Sequence, residues 1–274
     1  MAKTSRPKRI VVISDLHCGH RAGLTPPAWQ WSDDPGEFDG RSAESRAWFG
    51  KLQRINWDWY VKKMRALQPI DGLVVNGDAV DGAKHPTECI HADPNDQVDM
   101  AEQCIRVVKF KKLLIIRGTP YHTGQFSDVE DRIAERFSGC ALGDHDQVTV
   151  NGLCIDFKHK TGGGKRPHTT GGGPRAERFD LDMYHKAGRM PLVHVVVRSH
   201  THQKFYHPYE LGDTKFAEII TPSLQCYGSK YGSRQCSGFV DFGIGYFDVY
   251  DKGNWEWHVK LLNHELMKSK VLTW

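Results

Sequence analysis

The 274-residue chain has no Cys-x-x-Cys pair anywhere, and its seven cysteines are an odd number. That combination argues against a disulfide framework and a structural zinc site, and for reduced thiols in a reducing compartment. No apolar run approaches the roughly 20 residues that a membrane-crossing helix needs, so no membrane partner is expected. The opening stretch, MAKTSRPKRIVVISDLH, has a basic end, but its apolar run breaks at Asp15 and is too short for a signal peptide. A cytoplasmic location is the expectation. The excess of one sign of charge is small as well: a net charge of +4 permits an anionic substrate without demanding nucleic acid. No internal repeat is evident. The stretch GGGKRP around Lys165 lacks the Walker spacing and the Ser or Thr after its lysine, which excludes that type of phosphate loop.

What the chain does have is length enough for one large core with insertions, and an ordinary globular composition. Five apolar runs read as buried strands, at residues 9–14, 72–76, 112–117, 153–157 and 194–199. Their continuous apolar character suits strands covered on both faces. Trp48, Leu52, Ile55 and Trp59 keep the spacing of one helix face. A second helix is expected over 97–109. A third opens at the capping box Ser127-Asp-Val-Glu130 and carries Val129, Ile133 and Phe137 on one face. QVTVNGLCIDF reads as a hairpin turning at Asn151-Gly152. After His202 four alternating segments predict antiparallel strands. The expected fold class is α/β with a β-rich C-terminal part, in a single domain over 1–274, with loops or insertions at 21–40, 83–95 and 160–175.

Each of the five strands ends in residues that can bind a metal. The first gives Asp15 and His17, the second Asp78 and Asp81, the third His122, the fourth His159, and the fifth His200 and His202. Residues two apart on extended backbone point the same way, so Asp15 with His17, or His200 with His202, can grip one ion. Each pattern alone is common. Five together, at the C-terminal ends of strands that can share an edge, are rare by chance.

In these blocks the chain resembles the calcineurin-like metallophosphoesterases, whose order is Asp-x-His, Gly-Asp-x-x-Asp, Gly-Asn-His-(Asp/Glu), His and Gly-His-x-His. The resemblance spans Asp15 to His202, and Ser199 stands where the family has glycine. It implies an αββα sandwich, two central mixed sheets flanked by helices, with a dinuclear centre where the strands end. It implies that Asp15, His17, Asp78 and His202 hold one metal, and that Asp78 bridges to a second held with His159 and His200. Two ions about 3.5–4 Å apart clamp a phosphoryl oxygen and make hydroxide available near neutral pH for in-line attack on phosphorus. Mixed imidazole and carboxylate ligands suit Mn, which is the expected ion, and also Fe, Zn or Ni. The compact chain with its irregular third block also resembles small phosphoesterases carried by bacteriophages.

The third block departs from the family, for Gly118 is followed by Thr119-Pro120-Tyr121-His122. Thr119 replaces the ligand Asn and offers only a hydroxyl or its carbonyl. His122 is open to three readings: a displaced general acid oriented by Asp81, a replacement metal ligand, or a loop residue without a role. The first is favoured, because a carboxylate partner keeps a histidine protonated for a leaving alkoxide.

The expected substrate is a phosphate ester. Protein serine/threonine phosphatases of this superfamily carry Arg after the second Asp of Gly-Asp-x-x-Asp, and here Gly82 stands there. A phosphodiesterase or nuclease acting on a nucleotide or nucleic acid is therefore preferred over a phosphomonoesterase, with a non-hydrolysing binding module as a third reading. Tyr227, Lys230, Tyr231 and Arg234 lie on a glycine-rich stretch that can stack bases and neutralise phosphates. Lys165, Arg166 and His168 are candidate substrate contacts from a lid.

Overall fold

The computed structural model describes residues 6–38, 42–82, 88–120, 129–162, 169, 171–226 and 240–267. The apolar runs become two mixed sheets laid face to face. The first contains β1 (Lys8–Ile13), β2 (Ile70–Asn76), β3 (Phe110–Ile116), β4 (Ala141–Gly143), β10 (Gly243–Val249) and β11 (Trp255–Leu261). Its order is β11-β10-β1-β2-β3-β4, with β1 to β4 parallel and β10 antiparallel to both neighbours. The second contains β5 (His145–Val150), β6 (Leu153–Lys158), β7 (Val195–Arg198), β8 (Phe205–Leu211) and β9 (Thr214–Ile220). Its order is β5-β6-β7-β9-β8, with β6, β7 and β9 parallel. The hairpin at Asn151-Gly152 is present: β5 and β6 pair antiparallel, with Val150 opposite Leu153.

Three apolar layers hold this together. Between the sheets lie Val12, Val74, Leu114 and Ile116 from one side and Ile155, Phe157, Val197 and Ile219 from the other. The outer face of the first sheet packs on α1 (Ala43–Ala66), α2 (Pro94–Ile105) and α3 (Val129–Ala134) through Leu52, Tyr60, Met100, Ile105 and Ile133. The outer face of the second packs on α4 (Gly172–Lys186) through Cys154, Leu181 and Val196. The architecture is thus an αββα sandwich. Among the described residues no helix is long and apolar enough to cross a membrane.

Local departures from the sequence expectation have packing causes. The buried face of α1 runs through Phe49, Leu52, Gln53, Asn56, Tyr60 and Met64 rather than Trp48, Ile55 and Trp59, which are only partly buried. Part of the 21–40 loop covers that face: Gln53 accepts from Trp31 N at 2.8 Å and donates to Arg21 O at 2.9 Å. A polar side chain with such partners is buried at little cost, so hydrophobic spacing misplaces the face. The second helix ends at Ile105, four residues before the expected Lys109, because the chain must turn to enter β3 at Phe110. Residues 172–175, expected as loop, open α4 with Gly172-Gly173-Pro174.

Candidate metal centre

Parallel strands of one sheet end at one edge, so β1 and β2 deliver their C-terminal residues together, as do β6 and β7, and the face-to-face packing of the two sheets brings these two edges side by side. Two further devices bring the side chains into register. Asp15 N donates to Gly77 O at 3.0 Å and His17 N to Asp78 O at 3.0 Å, tying the first two blocks together. The second device is an unusual backbone: Asp15, His17, Asp78, His200 and His202 all have positive φ, between 44° and 71°. This region is sparsely populated by residues with a Cβ and costs about 1–3 kcal/mol per residue, held only where the surroundings enforce it. Among the described non-glycine residues only Asn151 and Lys252 share it.

Two glycines permit the close approach. A Cβ on Gly77 would lie 2.3 Å from the His159 ring, and one on Gly118 would lie 2.2 Å from Asp78 Oδ1. Neither position can carry a side chain with the site as it stands.

The result is two overlapping groups. One ligand atom from each of Asp15, Asp78, His159 and His200 lies within 4.8 Å of the others, and the same holds for Asp15, His17 and His202. Asp15 belongs to both groups by this distance. Asp78 Oδ2 also faces both, at 2.9 Å from His159 Nε2, 3.6 Å from His200 Nδ1 and 4.0 Å from His17 Nε2. Asp15, Asp78, His17 and His159 are buried, whereas the side chains of His200 and His202 are 25% and 20% exposed. The cluster therefore opens to solvent on the His200 and His202 side.

Neighbouring groups orient the rings. His159 Nδ1 donates to the carbonyl of Asn76 at 2.7 Å, which leaves Nε2 facing the carboxylates. His17 Nδ1 pairs with Asp81 Oδ1 at 3.0 Å. Thr119 donates to Asp78 Oδ1 from its backbone N at 2.6 Å and from its hydroxyl at 3.2 Å. Thr119 thus acts on the carboxylate it was expected to sit beside as a ligand. Asp81, expected to orient His122, holds His17. His122 lies outside the described residues, as do Lys165, Arg166, His168, Tyr227, Lys230, Tyr231 and Arg234.

The electrostatics point to a cation. Burial alone would raise Asp15 and Asp78, but His202 and His159 hold Asp15 below the usual carboxylate range, and His159, His200 and His17 do so for Asp78. Burial alone would lower His159, yet Asp78 and Asp15 push it up to about 9. Asp15 Oδ1, His159 Nε2 and His200 Nδ1 are buried atoms with no aligned hydrogen bond. Two buried carboxylates and the rings of four histidines converge there, a donor set that a divalent cation would satisfy. The residues fit divalent metal.

Sequence reasoning passed over one member of this region as a helix cap. Glu130, in the first turn of α3, is 3% exposed. Burial pushes its carboxyl up to about 7, with nearby Asp78 adding to the shift and the N–H of Gly118 resisting it. Only the partners, not the spacing, reveal it.

No known family model and no curated protein matches the sequence. Solved structures do align along most of the chain. An archaeal phosphodiesterase is 13% identical, with 92% of this chain and 99% of that one covered at a TM-score of 0.46. Yfce, a phosphoesterase from E. coli, is 12% identical, with 93% and 100% covered and a TM-score of 0.41. The nuclease MPE from Pseudomonas putida is 11% identical, with 87% and 83% covered and a TM-score of 0.31. These are likenesses of general shape, and the functional reading rests on the site's own residues.

Proposed function

We propose that the chain is a calcineurin-like metallophosphoesterase that uses two divalent cations to hydrolyse a phosphodiester of a nucleotide or nucleic acid. The observation that carries this reading is the convergence of Asp15, His17, Asp78, His159, His200 and His202 where strands of the two sheets end, with buried ligand atoms left without aligned hydrogen bonds. Asp15, His17, Asp78 and His202 would hold one cation, and Asp78, His159 and His200 the other. When bound, such cations supply Lewis-acid polarisation of a phosphoryl oxygen and lower the pKa of water. Mixed imidazole and carboxylate donors suit Mn, Fe, Zn or Ni, and Mn is the ion we assign.

The chain's own residues do the rest. Thr119 fixes the Asp78 carboxylate, and the Asn76 carbonyl and Asp81 fix the rings of His159 and His17. Substrate enters on the side of His200 and His202. The leaving oxygen needs a proton, and His122 is assigned that task. Tyr227, Lys230, Tyr231 and Arg234 are assigned contacts to nucleobases and phosphates; the described residues on either side of them are tied to the site, Leu224 N donating to Ser14 O at 3.1 Å and Asp241 N to His202 O at 2.9 Å.

The test is hydrolysis of bis-(p-nitrophenyl) phosphate with added Mn, run beside an aryl monoester and short DNA and RNA strands. Expected are diester turnover, loss of it with chelator, and loss in Asp78→Asn. Faster monoester turnover would replace the diester reading with a phosphatase. Metal binding without any turnover would leave a binding module.

A further inference from the structure

We propose that Thr221, directly after β9, is a positioning residue that sets how far apart the two halves of the site stand; this rests on the reading that the site holds divalent cations. Four side chains run in file across the space between the sheets. They are Asn76 at the end of β2, Ser199 after β7, Thr221, and Ser14 after β1, and each is 0% exposed. Asn76 Nδ2 lies 2.7 Å from Ser199 Oγ, and Ser199 Oγ lies 2.7 Å from Thr221 Oγ1. Thr221 Oγ1 lies 2.8 Å from Ser14 Oγ, which lies 3.1 Å from the carbonyl of Pro222.

The two ends dictate every proton in between. A carbonyl only accepts, so Ser14 gives its single hydroxyl hydrogen to Pro222. Thr221 must then donate to Ser14, and Ser199 to Thr221. The Asn76 amide group, which only donates, completes the chain at Ser199, and its other hydrogen reaches Lys158 O at 3.3 Å. Each hydroxyl accepts once and donates once, in one direction. Away from water such a chain polarises its own links, by about 10–30% per bond.

Each link except the hub stands beside a candidate ligand. Ser14 precedes Asp15, Ser199 precedes His200, and Asn76 lies two residues before Asp78 while its carbonyl holds His159 at 2.7 Å. Asp15 and Asp78 follow strands of the first sheet; His159, His200 and His202 follow strands of the second. Two links cross between the sheets, Asn76 to Ser199 and Thr221 to Ser14. Thr221 carries no ligand, yet its hydroxyl makes one crossing and ties it to the other through Ser199, and its backbone N is tied to Arg198 O at 2.9 Å. Serine at 199, where the resembled family has glycine, supplies the link between Asn76 and the hub.

Thr221→Val keeps the shape and removes the hydroxyl, leaving the Ser199 hydrogen without an acceptor and Ser14 Oγ without a donor. Thr221→Ser keeps the hydroxyl. The probe is Mn²⁺, titrated calorimetrically into the metal-stripped full chain. Thr221→Ser should match the parent, whereas Thr221→Val should bind at least one Mn²⁺ about 10–100-fold more weakly, the usual effect of losing an outer-shell partner. Val249→Ala, a core truncation at the opposite end of the first sheet, controls for stability and should lower Tm without changing Mn²⁺ affinity. If Thr221→Val fails to fold, Ser199→Ala breaks the same chain one link away and carries the same expectation. Parent-like affinity in the hydroxyl-deleted variant, or equal weakening in Val249→Ala, overturns the role of Thr221. A parent protein that binds no Mn²⁺ overturns the metal reading and this inference with it, and is distinguished because the parent itself is silent.

Discussion

Asp81 Oδ1 lies 3.0 Å from Nδ1 of His17, and the pairing turns Nε2 of that ring toward Asp78 Oδ2, 4.0 Å away. A carboxylate on the far nitrogen fixes ring orientation and tautomer and raises the basicity of the ligating nitrogen. The sequence also offers Asp81 as the partner of His122, which lies outside the described residues.

The two assignments predict different losses. Through His17, Asp81→Ala should weaken Mn binding by about 10–100-fold. Through His122, metal binding would stay intact. The rate would then fall only for substrates whose leaving group needs a proton. Calorimetry on the variant, paired with turnover of an aryl and an alkyl ester, decides between them.

His122 has its own test. As general acid it should contribute about 10²–10⁴-fold, so His122→Ala should lose that much in kcat with an alkyl leaving group. With nitrophenolate, which departs without a proton, the loss should shrink sharply. Loss of one bound metal in this variant would instead mark His122 as a ligand.

The Thr119 hydroxyl is 3.2 Å and 3.4 Å from the two oxygens of Asp78, so it reinforces that carboxylate. Without the Asn of the resembled family, the group built on Asp78, His159 and His200 should bind its cation more weakly than the group built on Asp15, His17, Asp78 and His202. Titration with Mn should resolve two unequal events, the weaker one abolished in His159→Ala. Two equally tight events would mean that the third block supplies a full ligand.

Protons should compete with metal at His159. Its folded pKa is raised from 6.5 to about 9 by Asp78 and Asp15, against the effect of burial. A raised histidine stabilises the metal-free fold fully below pH 6.5, and that contribution is lost as pH rises through about 9. The metal-free protein should therefore show a falling Tm between pH 7 and 10, while Mn affinity rises over the same interval because the neutral ring is the ligand. Calorimetry in two buffers of different ionisation enthalpy should show proton release on binding at pH 7. A pH-independent affinity would contradict the assignment.

Arg198, fully buried at the end of β7, pairs with Asp156 and with Glu177 of α4, each at 2.7 Å. It anchors the strand that presents His200. Removing one partner of a buried pair typically costs about 3–5 kcal/mol, so Arg198→Ala should be strongly destabilised in urea unfolding. Asp156→Ala combined with Arg198→Ala should cost clearly less than the sum of the single changes, since the second removal strands no further charge.

Much of this molecule was legible in the chain. Runs such as IVVI, LVVN and VVV announce doubly covered strands because burial on both faces leaves no room for alternation. Asp15, His17, Asp78, His159, His200 and His202 follow those runs directly, so the candidate ligands could be named in order. Of the four strands expected as antiparallel after His202, β8, β10 and β11 are, while β9 also pairs parallel with β7.

Only the tertiary structure decided the rest. It placed the α1 face on Gln53 and Asn56, whose burial depends on partners far along the chain. It drew α4 from a glycine-rich start that local propensity disfavours, using contacts with the second sheet. It gave Asp81 to His17 and Thr119 to Asp78, forced five ligand residues into positive φ, and threaded a hydroxyl chain through Thr221. Periodicity and spacing report what one segment does against an average environment. A hydrogen bond between residues 14 and 221 exists only after two sheets have closed on each other.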